Sequence, residues 1–182
     1  MNTTYILIAT VLILVIMGMI LAPRFARRNR SERLHGKFGS EYDHTVEAMG
    51  GEKKAQKELE ERQRHVETLD LQPLSATERE RYTADWSAVQ AEFVDEPGKA
   101  ITDADRLIME VMQLRAYPVS DFEQRAADLS VTYPALVSNY RAARAIATKN
   151  KEHKADTEEL RQAMINYRSL FDELLKPDTV AA

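Results

Sequence analysis

The chain has 182 residues, no Cys and a formal net charge of −4 at pH 7. Without Cys there is no disulfide framework, thiolate metal site or Cys nucleophile, and a chain of this length buries enough surface to fold without such staples. Charge is unevenly spread: Arg24, Arg27, Arg28, Arg30 and Arg33 outweigh Glu32 in residues 24–33, residues 1–23 carry no ionisable side chain, and the remainder is acidic, which disfavours nucleic acid as a partner because that binding neutralises phosphates.

Tyr5 to Ala22 reads YILIATVLILVIMGMILA, 18 residues without a charge. About 20 such residues cross a hydrocarbon core of about 30 Å as a helix. Tyr5 suits the interface. A cleaved signal peptide needs a basic start and a small-x-small site. Here no Lys or Arg precedes the run, and Pro23 follows Ala22. The pattern therefore predicts an uncleaved anchor over residues 1–23. Positive charge beside a span stays cytoplasmic, so the five Arg predict N-out, C-in topology and a main domain on the cytoplasmic face of the inner membrane. The same Arg side chains also suit lipid headgroups.

Residues 24–39 read as a basic juxtamembrane linker, with Gly36 and Gly39 as breakers. A helical domain is expected over 40–175. Its first element is a long charged helix from about Ser40 to Leu69, packed along the domain as a stalk. Tyr42, Val46 and Met49 share a face there. Beyond Gly50-Gly51, which suits a kink, the apolar positions thin to Ala55, Leu59, Val66 and Leu69. Glu58–Arg62 and Glu60–Arg64 have i, i+4 spacing. A narrow seam leaves most of such a helix free, so Glu58, Glu60 and Glu61 form a candidate partner-docking face.

Ser75-Ala76-Thr77-Glu78 is a capping box. The helix after it aligns Tyr82, Trp86, Val89 and Phe93, an aromatic stripe best read as core. Asp95-Glu96-Pro97-Gly98 is a turn, with Pro97 suited to a first helical position. Ile101, Ala104, Ile108 and Val111 then mark a central helix, ended by Tyr117-Pro118. Ser120 or Asp121 caps a short helix from Phe122 to Leu129. Arg125 in it can pair with Asp121 and Asp128. Pro134 opens the next helix, with Val137, Tyr140, Ala143 and Ala147 on one face and an end near Asn150. A polar loop follows. Asp156-Thr157-Glu158-Glu159 caps the last helix, where Leu160, Met164, Tyr167, Phe171 and Leu174 are in register. Lys176-Pro177 ends it, leaving residues 176–182 as a tail.

The whole pattern is all-α: one N-terminal transmembrane helix, then a multi-helix bundle with one long charged helix. No sustained period-2 alternation marks a strand.

Chemical signatures are sparse. His35, His44, His65 and His153 form no metal-binding spacing. Glu41-Tyr42-Asp43-His44 is one E-x-x-H, whereas a di-iron bundle needs two, so Glu41 reads as a helix-start acid beside an exposed His. Asp95, Glu96, Asp103 and Asp105 read as acids near helix N-termini. No nucleophile or phosphate-loop motif occurs. The sequence names no catalytic residue, no metal ligand and no cofactor.

Phe38 to Asp43, Phe93 to Pro97, and Asp121 to Ser130 (DFEQRAADLS) resemble blocks of a family of uncharacterised bacterial membrane-anchored helical proteins. The resemblance spans about residues 33 to 175. It implies architecture and a bacterial source, but no activity.

The sequence thus predicts a non-enzymatic, membrane-tethered interaction or scaffold module that binds a protein partner. The alternatives are a ligand-binding or enzymatic bundle, with a pocket among Tyr82, Trp86, Tyr140 and Tyr167, or an extracytoplasmic domain if the topology is reversed.

Overall fold

The computed structural model describes residues 28–177, with Met17 and Met19. Apart from those two methionines, the expected span, residues 1–23, lies outside the described residues, as does the C-terminal tail beyond 177. Among the described residues no helix is long and apolar enough to cross a membrane.

Eight helices and no strand appear among the described residues. They are α1 (28–38), α2 (Ser40–Met49), α3 (Glu52–Thr68), α4 (Ala76–Glu92), α5 (Pro97–Leu114), α6 (Phe122–Thr132), α7 (Pro134–Lys151) and α8 (Thr157–Leu174). The helix starts follow the sequence signals. Ser75 accepts from the Glu78 amide, and Glu78 reaches back to close the box. Asp156 and Glu159 do the same for α8. Pro97 and Pro134 sit in the first turns of α5 and α7, where a missing N–H costs nothing. Asp121, not Ser120, caps α6 by accepting from the Gln124 amide.

Helices α4–α8 enclose the main core. The α5 face of Ile101, Ala104, Ile108 and Val111 is fully buried, and α5 packs on α4, α7 and α8. Trp86 of α4 stacks on Phe171 of α8, with ring centroids 4.5 Å apart. Tyr82, Trp86 and Val89 are buried as expected, while Phe93 is half-buried. Helix α6 runs to Thr132, three residues beyond the expected end, and α7 to Lys151.

The N-terminal third differs from expectation. The long charged helix is two helices, because the chain reverses at Gly50-Gly51. Their φ values are 69° and 152°, a combination that favours glycine at both positions. The Gly50 and Gly51 amides donate to the carbonyls of Glu47 and Val46, the paired closure that ends a helix on a left-handed residue. Helix α3 then folds back on α2, and Gln56 donates to the Tyr42 hydroxyl at 3.2 Å. Of the two expected breakers, Gly36 lies inside α1, and Gly39, at φ 53°, ends it. The stretch read as a linker is thus helical from 28 to 38. Leu34 and Phe38 of α1 join Tyr42 and Leu59 in a second, smaller apolar cluster.

Candidate functional site

The most concentrated buried polar chemistry lies where α1–α3 meets α6 and α7. Glu41 is 2% exposed. Its two carboxylate oxygens accept from Arg62 of α3 at 2.9 Å and from Arg141 of α7 at 2.6 Å. His44 Nδ1 stands 3.8 Å away. Glu41 lies in the first turn of α2 and His44 is exposed, as expected, but the Glu41 carboxylate is buried and held by arginines of two other helices. The i, i+3 spacing sees only the α2 surface, whereas the partners of Glu41 come from other helices.

Arg62 also donates from Nε to Glu58 at 2.9 Å and approaches the buried Ser130 hydroxyl at 3.5 Å. Beside it, Asp128 of α6 is fully buried. Its Oδ1 accepts from Gln124 at 2.8 Å and lies 3.6 Å from His65 Nε2 of α3. Its Oδ2 is buried without a hydrogen-bond partner, as is Nε of Arg141. Burial raises the Asp128 pKa above its ordinary value, against the lowering effects of the Gln124 hydrogen bond and the charges of His65 and Arg62.

A second polar network runs through the main core. Arg125 does not pair with Asp121 or Asp128. It is buried, donates from Nε to the Tyr140 hydroxyl at 3.2 Å and also binds the Val119 carbonyl. Asp105 is no helix-end acid either: it is 5% exposed, accepts from the Tyr167 hydroxyl at 2.9 Å and pairs with Arg144. Burial first, then Asp105, pushes the Tyr167 pKa far upward, so its hydroxyl stays a donor. Asp103, by contrast, is a surface acid paired with Arg106 at 3.0 Å.

The four aromatics expected to line a pocket are all core residues. Tyr82, Trp86, Tyr140 and Tyr167 are each at most 4% exposed, and the last two direct their hydroxyls to Arg125 and Asp105. A shallow groove between α4 and α8 reaches Trp86 and Phe171 from outside, rimmed by Thr83, Ser87, Leu175 and Pro177.

The expected docking acids of α3 have unequal surroundings. Glu60 is held from α1, by Arg30 through two hydrogen bonds and by Arg33 at 3.3 Å. It does not pair with Arg64, whose Nε donates to the Glu60 backbone carbonyl. Glu58 binds Arg62. Glu61 is the most exposed of the three, and among the described residues it pairs with Lys57 and Arg64 of its own helix. Of the five expected membrane-facing arginines, Arg24 and Arg27 lie outside the described residues. Arg28 pairs with Glu32 at 2.8 Å on the α1 surface. Among the described residues no group of three or more His, Asp or Glu is placed to hold a metal ion.

No protein-family model, curated protein or solved structure matches this chain.

Proposed function

We propose that the protein is a single-pass, membrane-tethered helical module, anchored through residues 1–23 in the inner membrane with its bundle on the cytoplasmic side. It acts by binding a protein partner there, not by chemistry of its own. The observation that carries this reading is the uncharged run Tyr5–Ala22, followed at once by Arg24, Arg27, Arg28, Arg30 and Arg33. A basic flank on one side only fixes orientation, and each Arg near an anionic leaflet contributes about 1 kcal/mol of attraction.

The packing of α1 on α2 and α3 supports the tether. Arg30 and Arg33 belong to α1, and Glu60 fixes them to α3. Leu34 and Phe38 of the same helix are buried. A basic helix locked onto α2 and α3 would hold those helices close to the membrane surface. The solvent side of α3 around Glu61 is the proposed partner face, because among the described residues Glu61 pairs within its own helix.

The test is a complementation series in a deletion strain. Replacing residues 1–23 by an unrelated span of equal orientation preserves function, while deleting the span abolishes it at normal protein abundance. Rescue by the untethered chain overturns the tethering. Turnover of a small molecule by the purified protein overturns the non-enzymatic reading.

A further inference from the structure

The two apolar clusters of this molecule do not merge. The larger belongs to the chain from Leu69 onward. The smaller is Leu34, Phe38, Tyr42 and Leu59 with Val46, and only Val131 of α6 reaches it from the other side. Beside that single apolar contact, what joins the two bodies is polar: Glu41 to Arg141, Arg62 to Ser130, and His65 to Asp128. Two buried atoms of the bundle residues at that join, Asp128 Oδ2 and Arg141 Nε, lack partners. Each unsatisfied group makes the closed state less favourable than an apolar contact of equal area. Polar joins between bodies of one chain are where relative motion is expected.

Connectivity points the same way. The smaller body is continuous, residues 28–68, and reaches the bundle through one segment, 69–75. That segment belongs to the bundle: Leu71 and Leu74 pack on its core, and the Gln72 amide donates to the Arg115 carbonyl at 3.2 Å. The hinge point is therefore at the end of α3, after Thr68.

We propose that α1–α3 is an arm that opens as one unit from a still-folded α4–α8 bundle, with Glu41 as the clasp between Arg62 of the arm and Arg141 of the bundle. A body of about 40 residues is at the lower limit for folding alone, so opening loosens the α1–α3 helices as they undock. Opening bares the α6–α7 face that carries Asp128, Ser130, Val131 and Arg141. This inference stands on the packing alone and is independent of the tethering.

Residue-resolved hydrogen exchange on the full chain in detergent micelles tests it, because separately opening units exchange as separate groups. Amides of α2 and α3 exchange at least tenfold faster than the slowest amides of α5 and α8. Ile108→Val, a conservative change in the bundle core, speeds those slow amides by roughly 2- to 13-fold and leaves α2 and α3 unchanged. Glu41→Gln speeds α2 and α3 by tenfold or more. Equal acceleration of all helices by Ile108→Val means that the chain opens as one body and overturns the arm. An unchanged rate in α2 and α3 for folded Glu41→Gln overturns the clasp. If Glu41→Gln does not fold, the measurement passes to Arg141→Lys, which keeps the charge but weakens the contact and must speed α2 and α3.

Discussion

Glu41 and Arg141 stand 100 positions apart in the chain and 2.6 Å apart in space. With Arg62 they place one buried carboxylate between two guanidinium groups from different helices. Removing one partner of a buried ionic group leaves uncompensated charge and costs about 3–5 kcal/mol. Glu41→Ala is therefore expected to lose stability on that scale in urea unfolding, with the loss centred on α1–α3. Glu61→Ala, on the exposed side of α3, changes stability by no more than about 0.5 kcal/mol. Similar losses for the two variants contradict the clasp.

Trp86 anchors α4 to α8 through its stack on Phe171. Trp86→Ala is expected to cost about 3–5 kcal/mol. Trp86 is the only Trp in the chain, so intrinsic emission reports on it alone. A blue-shifted maximum in the folded protein, moving red on unfolding, is the expected result. Red emission from the folded protein would place the stripe at the surface.

Ala116 closes α5 at φ 64°. The amides of Ala116 and Tyr117 donate to the carbonyls of Gln113 and Met112, a closure that glycine usually serves. A non-glycine residue in this conformation is disfavoured by about 1–2 kcal/mol. Ala116→Gly is expected to raise the thermal midpoint, with stability gained on the order of 1 kcal/mol. A lowered midpoint would show that the Ala116 methyl group is worth more than the strain.

Asp128 sets a pH dependence with a definite sign. Burial raises its pKa above that of the unfolded chain. A carboxyl raised on folding contributes stability that is fully present below its unfolded pKa, about 3.9, and is lost as pH rises through the folded value. The stability of the native chain relative to Asp128→Asn should therefore fall as pH is raised from about 4. Urea unfolding of both chains across that range checks it. A difference that grows with pH would mean that His65 and Arg62 outweigh the burial.

How much of this was legible in the sequence depended on whether a residue's partners lay on its own helix. The boxes at Ser75 and Asp156 are local and formed as read. Pro97 and Pro134 took their helix starts, and the Ile101-to-Val111 face was buried because a stripe at helical spacing has few other uses. The placing of Asp105, the pairing of Arg125 and the burial of Glu41 escape the sequence for a common reason. Spacing offered Glu41 only His44, offered Arg125 the acids Asp121 and Asp128, and placed Asp105 near a helix start, while the fold gave each a partner from another element: Arg141, Tyr140 and Tyr167. The reversal at Gly50-Gly51 had a signal, since two adjacent glycines permit a turn that no other pair allows easily. The thin apolar pattern of α3 concealed it: a cluster of four buried side chains shared by three helices leaves only one or two positions on each. The ends of α5 and α7 lacked their usual mark, because Ala116 and His153 hold the positive φ where glycine is expected.

The tethering is tested most directly by fractionating cells that express the full chain, and a chain lacking residues 1–23, each with a reporter after Ala182 that works only in the cytoplasm. The full chain is expected in the membrane fraction, resistant to high salt, with an active reporter. The shortened chain is expected in the soluble fraction. A full chain that fractionates as soluble, or a reporter that is inactive while the chain is membrane-bound, would contradict the account.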